Sequence, residues 1–145
     1  MNTAHAGAAA PSSSKPLHIA LWIAQVLLFV AFLGAGGMKL KMSAEELLKL
    51  DPSGSIPLTR FIGVAEVLGA LGMILPAATR IRPGLTPLAA LGLFIIMVLA
   101  AGVHTFMKHD IATAFPVVGG LGALAAFVAW GRWKKAPIAP RQRQV

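Results

Sequence analysis

Along most of this chain apolar residues run in long unbroken blocks and do not alternate with polar ones. No Lys, Arg, Asp or Glu lies between Lys15 and Lys39, between Arg82 and Lys108, or between Asp110 and Arg132. Pro57 to Pro76 is apolar except for Arg60 near its start and Glu66 in its middle. A helix that crosses a bilayer needs about 20 predominantly apolar residues. The pattern predicts an all-α membrane protein, a bundle of four transmembrane helices at about 17–38, 58–76, 84–106 and 112–131. Prolines punctuate the blocks as helix boundaries do: Pro16 before the first, Pro57 and Pro76 at the two ends of the second, Pro83 and Pro87 at the opening of the third. Pro116, one turn into the fourth, is placed to kink it.

The first loop has room for structure of its own. Ser43-Ala44-Glu45-Glu46 has the form of a capping box, and Leu47, Leu48 and Leu50 follow it. This predicts a short amphipathic helix, ended by Asp51-Pro52-Ser53-Gly54. Residues 1–15 read as a disordered N-terminal tail, 16–134 as a single membrane domain, and 135–145 as a basic C-terminal tail. A cleaved signal peptide is disfavoured for the first block. Only Lys15 charges a long leader, and the apolar run exceeds the 7–15 residues (roughly) of a signal core.

Composition agrees with the pattern. Of 145 residues, 57% are hydrophobic and 12% charged, against about 25% charged in a soluble protein. With no cysteine and no tyrosine, disulfides, thiol redox chemistry, cysteine-ligated metal and tyrosyl chemistry are excluded. The net charge of +8 becomes a topology signal once it is read along the chain. With both termini in the cytoplasm, eight bases fall inside: Lys15, Arg80, Arg82, Arg132, Lys134, Lys135, Arg141 and Arg143. Five fall outside: Lys39, Lys41, Lys49, Arg60 and Lys108. Trp22, Trp130 and Trp133 share the inner interface, as an aromatic belt would. The basic tail reads first as this bias plus attraction to anionic headgroups, and second as a docking site for a partner. No basic stripe interleaved with aromatics suggests nucleic acid.

Ionisable residues inside spans are expensive and mark candidate sites. Glu66 lies nine residues beyond Pro57, about 13 Å from the outer boundary by helix rise. Ile62, Gly63, Gly69 and Ala70 flank it on the helix, so it faces another helix and not lipid. Lys39 ends the first span, Arg60 begins the second, and His104 ends the third near the same face. Gln25 lies deeper, on a helical stripe with Phe29, Phe32, Gly36 and Lys39. The expectation is a polar pocket in the outer half of the bilayer formed by Lys39, Arg60, His104 and Gln25, with Glu66 at its floor. Each member has a plain alternative: a structural ion pair for Glu66, interface anchoring for Lys39 and Arg60, a packing hydrogen bond for His104. His18 and His104 lie about 20–25 Å apart in depth and cannot ligate one haem iron. No acidic or second-helix partner completes a metal set around His104 and His109. Pairs of small residues, Ala65 with Gly69, Gly119 with Ala123 and Gly122 with Ala126, permit close helix packing.

The block Phe32-Leu33-Gly34-Ala35-Gly36-Gly37-Met38-Lys39-Leu40 resembles the phenylalanine-glycine-lysine ending of a first helix in DoxX-like membrane proteins. Arg60-Phe61-Ile62-Gly63-Val64-Ala65-Glu66-Val67-Leu68-Gly69 is similar to that family's second helix, with a glutamate between glycines. Leu85-Thr86-Pro87-Leu88-Ala89-Ala90, His104 and Ala129-Trp130-Gly131-Arg132 follow in the expected order, so the likeness covers about residues 18–133. The resemblance implies a small four-helix protein of the bacterial inner membrane with Lys39, Arg60, Glu66 and His104 as its polar core. It also implies association with membrane redox systems, including thiosulfate:quinone oxidoreductase; direct sulfur relay is not carried over, because this chain lacks cysteine.

The reading that follows is an accessory protein that binds a small lipophile such as a quinone, the one cofactor expected. Its alternatives are a membrane chaperone or assembly subunit and a small proton-coupled transporter. Small multidrug exporters, which the last would resemble, carry their key glutamate in the first helix, whereas here it is in the second. A stand-alone enzyme is disfavoured, since no nucleophile–base set or cofactor motif is present. The expected partners are the bilayer and a membrane-complex partner or a second copy of the chain.

Overall fold

A computed structural model describes residues 14–51 and 54–142. Its helices are α1 (Lys15–Lys41), α2 (Ala44–Leu50), α3 (Ile56–Thr79), α4 (Leu85–Phe106) and α5 (Ile111–Trp130), and α5 runs on into a π-helical stretch, Gly131–Lys135. Among the described residues four helices are long and apolar enough to cross a membrane: α1, α3, α4 and α5 with its π continuation. The chain is a multi-span membrane protein with one short helix between its first two spans. The expected tail 1–15 lies outside the described residues up to 13, and Lys15 already belongs to α1.

The long helices close into a ring. α1 packs on α3, α3 on α4, α4 on α5, and α5 returns to α1. Leu28, Phe32, Ala70, Met73, Ala90, Leu93, Met97, Ala125 and Val128 fill the centre. On α1 the buried positions Leu21, Ala24, Gln25, Leu28, Phe32 and Gly36 recur every three or four residues, so one stripe faces the bundle. Ile19, Val30, Leu68, Leu99 and Val117 point outward, where acyl chains would meet them. Lipid is as apolar as leucine, so close packing of small residues holds such a bundle together. The backbones of α1 and α3 meet at Gly36 and Gly63. A Cβ on Gly36 would lie 2.7 Å from the Gly63 carbonyl oxygen, and one on Gly63 would lie 3.0 Å from the Lys39 Cβ.

Three boundaries differ from expectation, each for a local reason. Pro76 does not close the second span; α3 continues to Thr79. The proline leaves the Gly72 carbonyl without its helical donor. Gln25 Nε2 donates to the neighbouring Met73 carbonyl at 3.1 Å, a cross-helix bond that braces the opened turn. At the other end of α1, the Arg60 guanidinium donates to the carbonyls of Lys39, Leu40 and Met42, covering oxygens that a helix end leaves free, and the helix reaches Lys41. The π stretch carries the last span beyond 131 and turns Arg132 inward, where it is buried.

The loops sort the bundle into two ends. At the loop end, α2 has a complete capping box: Ser43 Oγ accepts from the Glu46 N–H at 3.2 Å, and Glu46 Oε2 accepts from the Ser43 N–H at 2.6 Å. Lys108 pairs with Asp51 at 2.9 Å and joins the first loop to the third. At the terminal end, the α3–α4 loop holds Arg80 and Arg82 at positive φ (58° and 50°). The C-terminal strand of chain crosses to it, where the Arg141 N–H donates to the Arg80 carbonyl at 3.1 Å.

Candidate functional site

Two polar clusters occupy opposite ends of the bundle. The first grows from the Gly36–Gly63 crossing. Lys39 stands one turn beyond Gly36, and Glu66 one turn beyond Gly63, so the crossing brings both side chains to the same seam. Lys39 Nζ donates to both carboxylate oxygens of Glu66, at 2.7 and 3.0 Å. Glu66 is 3% exposed, while the Lys39 side chain keeps 30% of its surface. The pair is therefore closed on the carboxylate side and open on the ammonium side. Arg60 caps the end of α1 immediately beside it.

His104 is at the same end but makes a different contact. Its Nδ1 lies 2.8 Å from Asp110 Oδ1, and the Asp110 N–H donates to the His104 carbonyl at 3.0 Å. An ionised aspartate accepts, so this bond assigns the ring proton to Nδ1 and leaves Nε2 as the free nitrogen. Below the dyad, α4 and α5 part to form an apolar cleft of about 140 Å³. Phe94, Met97, Val98 and Ala101 line it from α4, and Phe115, Val118 and Gly122 from α5. His104 follows Ala101 by three residues, one turn further along the same helical stripe. Asp110 occupies the N-cap position of α5 with its side chain turned to His104, little more than a turn before Phe115. The dyad itself is not part of the lining; it stands about one helical turn beyond Ala101.

The second cluster, at the terminal end, surrounds Arg132, which is 2% exposed. Its Nε donates to Gln25 Oε1 at 2.7 Å, and its Nη1 lies 3.0 Å from His18 Nδ1 and 3.3 Å from the Ala136 carbonyl. Its Cζ sits 5.5 Å from the centre of the Trp22 ring. Trp22 Nε1 in turn points at His18 Nε2, at 3.2 Å. Two buried side-chain atoms have no hydrogen-bond partner among the described residues, Arg132 Nη2 and Thr86 Oγ1; Thr86 lies at the start of α4, at this same end.

The five expected site residues thus separate. Lys39, Glu66 and Arg60 share the α1–α3 seam; His104 belongs with Asp110 at the α4–α5 turn; Gln25 belongs with Arg132 at the terminal end. The predicted stripe through Gln25 is where it was expected, but its amide turns toward Arg132, because a guanidinium and an opened α3 turn both need it. The sequence reading counted Arg132 as one of the inner-face bases and missed this cluster. A signal existed: Ala125, Val128, Ala129 and Arg132, all buried, are spaced three, one and three apart on one helix face. Among the described residues no group of three His, Asp or Glu is placed to hold a metal.

No curated protein and no solved structure matches the chain. The model of the DoxX-like family matches residues 23–128, a span that holds Gln25, Lys39, Arg60, Glu66, His104 and Asp110 and stops short of Arg132. With most of its length matched, the chain belongs to the DoxX-like family.

Proposed function

We propose that this chain is an accessory component of a membrane redox system that binds a small quinone-like lipophile between α4 and α5. The observation that carries the reading is the His104–Asp110 dyad, one helical turn beyond the Ala101 end of an apolar cleft. Lipophile sites combine apolar and aromatic walls with a few oriented polar groups. Phe94 and Phe115 supply aromatic walls, and Val98 and Phe115 are exposed on the bundle surface, which supports entry of a ring from the acyl chains. With its proton on Nδ1, His104 presents Nε2 as an acceptor for a quinol hydroxyl; protonated, the same nitrogen donates to a quinone carbonyl. Asp110 orients the ring in both states. The Lys39–Glu66 pair and Arg60 fix the neighbouring seam, and their role here is to position helices.

The positive-inside count supports a bacterial inner-membrane location with both termini in the cytoplasm, which puts the dyad near the outer face. The test is titration of the purified chain, in neutral-lipid nanodiscs, with a short-chain quinol followed by intrinsic fluorescence and by equilibrium dialysis. Saturable binding that weakens about tenfold in His104→Phe and is unchanged in Lys49→Gln supports the reading; a tenfold loss is about 1.4 kcal/mol, the worth of one hydrogen bond. Binding that is absent in the parent chain, or equal in His104→Phe, refutes it.

A further inference from the structure

We infer that the terminal end of the bundle carries a phosphate-oxygen site for the headgroup of an anionic phospholipid, built on Arg132, His18 and Trp22. The argument starts from a shortage of acceptors. Arg132 offers five N–H groups and accepts nothing; Trp22 offers one and accepts nothing. Both point at His18, Arg132 Nη1 at Nδ1 and Trp22 Nε1 at Nε2. A neutral histidine has one acceptor nitrogen and one N–H, so it can satisfy only one of these two donors. Gln25 Oε1 and the Ala136 carbonyl take two more, and both N–H groups of Nη2 have no partner among the described residues. At least three donors converge with no oxygen among the described residues to receive them.

Charge tells the same story. A buried guanidinium requires a counter-charge, yet its partners in this cluster are neutral. The chain's five acids are Glu45, Glu46, Asp51, Glu66 and Asp110. Glu66 is held by Lys39, Asp110 by His104, Asp51 by Lys108 and Glu45 by Lys49, all away from the terminal end, and Glu46 is closed into the α2 capping box. The rim around the cluster is basic: Lys15, Arg80, Arg82, Lys134, Lys135 and Arg141 are exposed. α1 also begins here with no acidic residue in its first turn and no side-chain cap, so its N-terminal dipole adds to the field. What the cluster lacks is one acceptor-only, negatively charged group.

A phosphodiester fits that need, and access fits a lipid. His18 and Trp22 are half-buried, flanking the buried stripe of α1 against Arg132, and Trp130 and Trp133 stand exposed at the same end of the bundle, where aromatic side chains meet headgroups. A phosphate at this wall accepts from Trp22 Nε1 and the His18 N–H. It reaches Arg132 by replacing the Ala136 carbonyl, which makes the longest of the Arg132 contacts at 3.3 Å. The segment from Ala136 to Arg141, tied to the Arg80 carbonyl, is the strap that yields.

Free phosphate shares this chemistry, so the test separates the two sources. The full chain in neutral detergent is heated with added short-chain phosphatidylglycerol, with phosphatidylcholine, or with inorganic phosphate at equal concentration, and retained lipids are counted by native mass spectrometry. The expected result is a saturable rise in Tm with phosphatidylglycerol, none with phosphatidylcholine, under a third of the rise with phosphate, and one retained anionic lipid. Arg132→Gln abolishes the rise. Trp22→Phe and His18→Leu, which spare the Arg132–Gln25 bond, weaken apparent affinity at least threefold and carry the test if Arg132→Gln does not fold. Lys134→Gln/Lys135→Gln, which removes rim charge and leaves Arg132, His18 and Trp22 in place, weakens it less than Trp22→Phe does. Equal rises with phosphatidylglycerol and phosphate overturn the lipid assignment. A loss in Lys134→Gln/Lys135→Gln as large as in Trp22→Phe reduces the effect to diffuse attraction and overturns the site.

Discussion

The Lys39–Glu66 pair is lopsided, and the asymmetry yields a measurable order of stabilities. Breaking a buried ion pair by removing one partner costs about 3–5 kcal/mol, because a charge is left buried and unpaired. Which partner is removed decides whether that happens here. Lys39→Met leaves the carboxylate of Glu66, with 4% of its side-chain surface exposed, facing a methyl group. Its cost falls near the lower end of that range, about 3 kcal/mol, since Lys39 is itself 30% exposed and the pair is partly screened. Glu66→Gln leaves an ammonium that can swing outward on its long stem, with a neutral amide of the same shape behind it. The cost is about 1 kcal/mol, the worth of a hydrogen bond. In the double variant Lys39→Met/Glu66→Gln no charge remains to strand, so the second substitution rescues the first by about 1–2 kcal/mol, roughly a five- to thirtyfold change in the folding equilibrium. The assay is reversible unfolding in mixed micelles with increasing denaturing detergent, followed by the fluorescence of Trp22, Trp130 and Trp133. A Lys39→Met cost no larger than that of Glu66→Gln, or a double variant equal to the sum of the singles, would refute the reasoning.

Other expectations come from single contacts. Gly36→Ala puts a methyl group 2.7 Å from the Gly63 carbonyl and costs about 1–3 kcal/mol in the same assay, whereas Gly37→Ala, with open space around it, stays within about 0.5 kcal/mol. Arg60→Lys keeps the charge but not the fork that spans the Lys39, Leu40 and Met42 carbonyls; it costs about 1–3 kcal/mol and speeds amide exchange in the last turn of α1. The backbone and side-chain bonds from Ser43 hold the Glu46 carboxyl below its ordinary value. Capping by an ionised Glu46 is therefore complete above the unfolded-chain pKa and is lost as pH falls through the lower folded value. Carbon NMR should find its titration midpoint depressed, and restored toward the ordinary value in Ser43→Ala; an undisturbed midpoint in the parent chain counts against the capping box. A reporter fused after Val145 should be active only in the cytoplasm, and periplasmic activity reverses the assigned orientation.

How far the sequence could be read depended on the range of the interaction. The spans were legible because lipid demands about 20 apolar residues wherever a helix crosses, and that demand acts on each helix alone. The capping box at Ser43–Glu46 was legible for the same reason: both partners lie in one turn. What one helix cannot specify is which neighbour its polar residues meet. Gln25, Lys39, Glu66 and His104 were all identifiable as intramembrane polar groups, yet their partners lie 48, 27 and 6 residues away for the bonds to Met73, Glu66 and Asp110. The Gly36–Gly63 crossing decides that Lys39 meets Glu66, and no spacing within either helix announces it. Arg132 went unread for a further reason. Positive charge after a last span is ordinary topology, so the residue was counted when it should have been placed. Its helix phase, in register with Ala125 and Val128, put it on the buried face, and the π stretch and strap then sealed it there with Gln25 and His18. The same +8 therefore has two parts: a solvated rim that reads as orientation, and one guanidinium withdrawn from it, whose Nη2 meets no acceptor among the described residues.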